Sequence, residues 1–211
     1  DRGPGPLGVG PVRLALLAAT LLAGGAPAPG APAPGAPGET RLVVGILADP
    51  VTLDPHRATD LVSQEVLANV CEPLVRLRPD GVHGEAALAT TWTTLDNRTW
   101  TFTLRPGVRF HDGSPLDADA VLANFRNLVQ LKALRGSGER VGPLALHLTL
   151  EQPNAALLAT LSQPGFCILS PRALRGEAHA PVGTGPFRLE SSQPGQVELA
   201  AFDAHWGGPP R

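Results

Sequence analysis

His111, Asp112 and Ser114 bring together, within one short stretch, the side-chain types of a base–acid–nucleophile relay. Such a relay needs its hydroxyl, imidazole and carboxylate to converge, and neighbours on one turn point apart. No Gly-x-Ser-x-Gly elbow accompanies them. Asp112-Gly113 and Ser114-Pro115 are turn formers, so the stretch is expected to fix a loop, and no catalytic residue is assigned. His56, His83, His111, His147, His179 and His205 include no pair at the spacing of a metal-binding helix or turn. No metal site and no cofactor are therefore expected. Gly183-Thr184-Gly185 resembles half of a phosphate loop, but no Lys-Ser/Thr follows, and Pro186 leads into a strand rather than a helix. Trp92 and Trp100 are read as cross-strand packing. Cys71 and Cys167 either pair after export or stay as two buried thiols.

The elements that must hold these residues follow from periodicity. In Thr99–Leu104 the residues Trp100, Phe102 and Leu104 alternate with threonines, the pattern of a half-buried strand. With Thr91–Leu95 it predicts a hairpin across Asp96-Asn97-Arg98. Asp117 is a fitting N-cap for a helix reaching about Leu131, with Asp119 in its first turn and an apolar face of Val121, Leu122, Phe125, Leu128 and Val129. Arg41–Ala48 is expected as a buried strand, and Ser63–Val70 as a helix stopped by Pro73. Leu74–Leu77 is expected as a short strand and Arg135–Gly142 as a polar loop. Leu144, Leu146, Leu148 and Leu150 mark a strand, and Pro153-Asn154 caps a short helix, Ala155–Leu161. Further strands are expected at Phe166–Leu169, Pro186–Glu190 and Val197–Ala201. Interleaved strands and helices predict an α/β class.

The balance of charge narrows the partners. With a net charge of −2 and a pI near 6.3, nothing favours nucleic acid or an anionic membrane surface. Arg2 and Arg13 precede the apolar run Leu14–Leu22, which small residues Ala23–Ala26 follow. The run is shorter than the ~18–20 apolar residues that span a bilayer, so residues 1–25 are expected to be a secretory signal peptide. No Cys follows it, which disfavours a lipid anchor. Residues 26–39, with their APAPG repeats, are expected to be an extended linker. Residues 40–211 are expected to form one folded unit. The sequence contains no Met, so the chain as written is expected to start downstream of a translation start.

Trp100–Asp119, WTFTLRPGVRFHDGSPLDAD, resembles the signature of the extracytoplasmic solute-binding proteins of peptide- and nickel-type ABC transporters, solute-binding family 5. LDPH at Leu53–His56, CEPLVRLRPDG at Cys71–Gly81, LATTW at Leu88–Trp92 and VGTGPFRL at Val182–Leu189 fall in that family's order. AAFDAHWGG at Ala200–Gly208 is similar to the segment that follows, so the resemblance runs from about Arg41 to Gly208.

The resemblance implies a periplasmic binding protein-like fold of type II, with a first lobe built on a mixed sheet and the second lobe missing from this chain. It implies a monomer in the periplasm that takes a peptide or another small organic solute and presents it to an ABC permease in the inner membrane. It also implies that residues just after the Leu-Asp-Pro turn line the ligand cleft, here Ala58, Thr59, Asp60 and Leu61, with Phe166 facing the same side. In this family Cys71 stands where Tyr is frequent, which favours packing over a bridge. TWTFTLR and ANFRNL resemble the nickel branch, whose members hold a metal complex through Met, Arg and His. This chain lacks Met, and Gln163–Phe166 offers no Arg, so an organic solute is the expected ligand.

Overall fold

A computed structural model describes residues 12–18, 40–178 and 180–210. The elements in order are β1 (Val12–Ala18), β2 (Thr40–Ile46), α1 (Leu61–Val70), β3 (Val75–Leu77), β4 (Gly84–Ala86), β5 (Ala89–Thr94) and β6 (Thr99–Leu104). They continue with α2 (Ala118–Gln130), β7 (Gly136–Gly142), β8 (Ala145–Leu150), α3 (Leu157–Leu161), a 3₁₀ turn (Pro164–Phe166), α4 (Pro171–Leu174), β9 (Phe187–Gln193) and β10 (Gln196–Ala201). The expected signal peptide and linker fall on residues 1–39, of which only the backbone of β1 lies inside the described residues.

Among the described residues, two four-stranded sheets organise the fold. One has the order β5-β6-β8-β7 and is antiparallel throughout; the other, β2-β1-β10-β9, mixes a parallel β1–β2 pair with antiparallel neighbours. In the first sheet Trp92 lies opposite Phe102, and Trp100 opposite Leu148. The β6 and β8 alternation then sends Trp100, Phe102, Leu104, Leu146, Leu148 and Leu150 into one core. α2 covers that core with Val121, Leu122, Phe125 and Leu128. Its start is set by Asp117, whose carboxylate accepts from the Ala120 amide at 2.8 Å. A smaller core joins α1 to β10 through Val66, Val70, Val197 and Leu199.

Several expectations are corrected. The Arg41–Ala48 segment is a strand, but not a buried one: Leu42 and Val43 are 57% and 49% exposed, because β2 is the sheet's edge and only Ile46 packs inward. The polar loop expected at Arg135–Gly142 is β7, which pairs with β8 along its length. Its glycines suit that place, since a Cβ on Gly138 would come within 2.5 Å of a Leu122 methyl. The strand expected at Phe166–Leu169 is instead the exit of the 3₁₀ turn, with one bridge between Pro73 and Cys167. α1 begins at Leu61 rather than Ser63, because Asp60 caps it. Cys71 and Cys167, favoured as packed thiols, form a disulfide with Cα atoms 5.7 Å apart, well within bridging range.

Candidate functional site

The Leu-Asp-Pro turn is held by its own side chains. Thr52 accepts from the Asp54 amide at 3.1 Å, and Asp54 accepts from the His56 amide at 3.0 Å. The Ala58 amide donates to the Asp54 carbonyl at 2.9 Å, and Ser63 accepts from the Thr52 amide at 3.1 Å. His56 then locks the turn to the rest of the lobe. Its Nε2 lies 3.0 Å from the Cys167 carbonyl, which can only accept, so Nε2 carries the proton. Nδ1 is left to accept from the Asn127 amide at 2.7 Å. Burial pushes the His56 pKa down, against a smaller opposing pull from the Cys167 carbonyl and Asp54, which suits a neutral ring using both nitrogens.

The same framework fixes the 3₁₀ turn. The disulfide ties Cys167 to the end of α1, and a Cβ on Gly165 would sit 3.6 Å from the Pro55 carbonyl. Asn124, fully buried on α2, donates to the Leu169 carbonyl at 2.7 Å and accepts from the Leu169 amide at 2.9 Å. Beside the turn opens a cavity of about 430 Å³, whose walls include Leu53, His56, Arg57, Asn127, Leu169 and Leu174.

The five expected site residues land in different settings. Ala58 is buried with Leu67, Cys71, Cys167 and Leu169. Asp60 caps α1, accepting from the Ser63 amide at 2.8 Å, and the bonds from Ser63 draw its pKa down. Thr59 is exposed, and Leu61 is 70% exposed. Phe166 is half-buried and packs against the main core. Thr59, Asp60 and Leu61 thus share an outward-facing start of α1, with Ala58 buried behind it, whereas Phe166 belongs to the main core. His56, Asn127 and Asn124 were not singled out from sequence, because their partners lie dozens of residues away.

The residues that suggested other chemistry are engaged elsewhere. His111 donates from Nε2 to the Gly185 carbonyl at 2.9 Å, whereas Ser114 donates its hydroxyl to Asp112. Among the described residues no three of His, Cys, Asp and Glu gather as a metal-holding group. Gly183 and Gly185 serve close backbone approach: a Cβ on Gly183 would lie 2.2 Å from the Val70 carbonyl oxygen, and one on Gly185 would lie 2.5 Å from that of Asn69. Gly183→Ala is therefore expected to destabilise by about 1–3 kcal/mol through overpacking. Gly142→Ala, where the nearest atom is 3.5 Å away, stays within about 0.5 kcal/mol. Urea melts of the two variants check this; equal midpoints would show that the loop gives way.

Glu72 closes this region. It is 2% exposed and accepts from Arg76 at 2.9 Å, Thr184 at 3.0 Å and the Trp206 indole at 2.7 Å. Arg105 lies over the Trp206 ring, 4.1 Å from its centroid. One buried carboxylate thus joins the end of α1, the Gly183–Gly185 loop and the segment after β10.

Residues 84–211 match the family described as bacterial extracellular solute-binding proteins, family 5. The chain is 34% identical to the glutathione-binding protein GsiB of Salmonella paratyphi A, over 78% of this chain and 35% of that protein. It is 35% identical to the probable D,D-dipeptide-binding periplasmic protein DdpA of Escherichia coli, over 79% of this chain and 36% of that one. Among solved structures, NikA from Brucella suis in complex with Fe(III)-EDTA superposes with a TM-score of 0.69 at 30% identity, over 77% of this chain and 36% of that one. The chain spans about a third of the length of the curated relatives it matches.

Proposed function

Since the chain belongs to the bacterial extracellular solute-binding proteins of family 5, with the fold of type II periplasmic binding proteins, we propose that it contributes one wall of a solute site in a peptide-type ABC importer. The observation that carries this is the rigid mounting of the Thr59–Leu61 corner. Hydrogen bonds through Asp54, His56 and Asp60 fix the backbone, and the disulfide fixes what lies behind it. A binding wall needs that pre-organisation, because ordering a loose loop would be charged against affinity. Thr59 and Leu61 supply exposed contacts, and Asp60 holds the corner through its bonds with the Ser63 amide and hydroxyl. Ala58 acts from behind, and Phe166 is read as facing the same side of the cleft from the main core. We read residues 1–25 as a signal peptide, whose removal would also take β1 out of the β2-β1-β10-β9 sheet, 26–39 as a linker and 40–211 as part of the first lobe, working in the periplasm as a monomer beside an inner-membrane permease.

Peptides or similar organic solutes fit better than a metal complex. Two relatives are named for glutathione and a D,D-dipeptide. The likeness to NikA favours the metal-complex reading, but this chain lacks Met, and both ring nitrogens of His56 are engaged.

One wall leaves much of a ligand in water, so affinity for the 211-residue chain is expected at about millimolar or weaker, roughly 4 kcal/mol. An NMR titration with glutathione and mixed di- and tripeptides checks this, with shift changes expected at Thr59–Leu61 and lost in Leu61→Arg. Changes confined to other surfaces would refute the assigned wall. Micromolar affinity would refute the single-wall account.

A further inference from the structure

β1 and β2 lie side by side and parallel, paired residue for residue without offset, from Val12 beside Thr40 to Ala18 beside Ile46. The register sets like beside like: Arg13-Leu14 stands next to Arg41-Leu42, and both strands are seven residues long. β1 holds the inner place. Its other edge pairs antiparallel with β10, with Leu14 opposite Leu199 and Leu16 opposite Val197. β2 is left outside it, at the sheet margin.

The margin is a poor place for the side chains of β2. Leu42, Val44 and Ile46 share one face by strand alternation. Ile46 reaches the small core of Val66, Val70, Val197 and Leu199, whereas Leu42 stays 57% and Val44 36% exposed. The exit of β2 is already fastened to the turn that opens β10, because Asp49 accepts from the Gly195 amide at 2.9 Å. One end of β2 is thus docked where β10 begins, and the rest is held off by the width of β1.

We propose that β1 occupies a place that β2 takes in the mature chain, and that removal of residues 1–25 lets β2 swing one strand spacing inward to pair antiparallel with β10. This rests on the reading of residues 1–25 as a signal peptide. The releasing step is hydrolysis of the peptide bond after Gly25 by an endopeptidase that cuts behind small residues. Water adds across that bond and leaves a carboxylate on Gly25 and an amine on Ala26. β1 and β2 are joined through residues 19–39, so the cut frees β1 and leaves β2 on the lobe.

Inheriting the register of β1, β2 places Leu42 opposite Leu199 and Val44 opposite Val197. The shift of about 4.8 Å carries both apolar side chains toward the core that Ile46 already touches. It also closes an edge, since the amides and carbonyls of β10 that β1 had paired would otherwise stand open to water or to another chain. Among the described residues β2 is the neighbour of β1 that runs in its direction. β2 leads through Asp49 into the Leu-Asp-Pro turn, so the cut that matures the chain also completes the sheet beside the candidate wall. The uncut leader blocks that step.

The test compares the full chain with the same chain cut by a leader peptidase, through backbone NOEs and amide exchange at β10. Uncut, Leu42 and Leu199 stand two strand spacings apart, about 10 Å, and no NOE joins them. After the cut, Leu42–Leu199 and Val44–Val197 NOEs are expected, the β10 amides that β1 protected stay protected, and Leu42 loses its broadening by a dissolved paramagnetic probe. A β10 edge that exchanges freely after the cut, or a cut leader that stays paired to it, overturns the proposal. So do β2–β10 NOEs already present in the uncut chain. Mass spectrometry of the exported protein examines the signal-peptide reading separately, and residues 1–25 retained there would sink that reading. The strand exchange is then decided on the full chain carrying Leu14→Pro and Leu16→Pro, which strips two amide donors from β1. The same NOEs in that variant uphold the exchange, and an open β10 edge overturns it.

Discussion

Replacing Cys71 and Cys167 together by alanine lowers the stability of the folded chain by about 4–5 kcal/mol in the chain-entropy account. The bridge spans 96 residues, so cutting it releases a long loop in the unfolded state. The loss is not confined to the unfolded state. The disulfide also anchors the Cys167 backbone, whose carbonyl accepts a hydrogen bond from His56 Nε2 and which pairs in a bridge with Pro73. The 3₁₀ turn behind the Thr59–Leu61 corner should therefore loosen along with the global loss. Both sulfurs sit in a buried cluster, so alanine rather than serine is the substitution that avoids leaving a hydroxyl without a partner. The measurement is urea unfolding of oxidised protein, reduced protein and the double variant. Reduced and doubly substituted chains should melt at similar, lower midpoints, with faster amide exchange at Gly165–Leu169. A loss under about 1 kcal/mol would mean that the unfolded chain is already compact, and that the bridge is decoration on a packed pair of thiols.

The bridge marks the boundary of what residue order makes visible. Local signals survive into the structure almost unchanged. The Trp100–Phe102–Leu104 alternation, the leucine ladder of β8 and the Asp117 cap are decided within a few residues, and they appear where expected. What resists reading is decided by partners far away in sequence. β7 is polar and glycine-rich, and it becomes a strand only because β8 has an open edge to pair with. β2 looks buried from its valines and leucine, yet its place at the sheet margin leaves them in water. Glu72 could be flagged only as a charge inside the apolar run around Cys71 and Leu74. Its partners Thr184 and Trp206 lie 112 and 134 residues on, and no local pattern points to them. The candidate wall behaves alike: Asp60 is legible as a polar residue before a helix, but its capping role comes with α1 starting two residues early. The candidate wall is proposed from the resemblance, and packing decides which of its side chains face outward.

The second large effect is expected under α2, where local pattern and tertiary packing agree. Phe125 is almost fully buried between the helix and the β6–β8 face, amid Val121, Leu122, Leu146 and Leu148. Phe125→Ala removes the ring and leaves a void that a close-packed sheet cannot collapse to fill, so a loss of about 3–5 kcal/mol is expected. Asp117→Ala removes only the acceptor for the Ala120 amide at a half-exposed helix start and should lose about 1 kcal/mol. The two positions are eight residues apart on one helix, roughly 12 Å along its axis, and share no partner. Their effects should therefore add to within about 0.5 kcal/mol in the double variant. Urea melts of the two single variants and the double one test all three statements. If Asp117→Ala proved the more damaging, the helix would owe its place to its cap rather than to its apolar face. If the double variant lost far less than the sum, the first substitution would already have detached α2, and the same experiment would show loss of the Asn124–Leu169 hydrogen bonds that tie this helix to the turn behind the candidate wall.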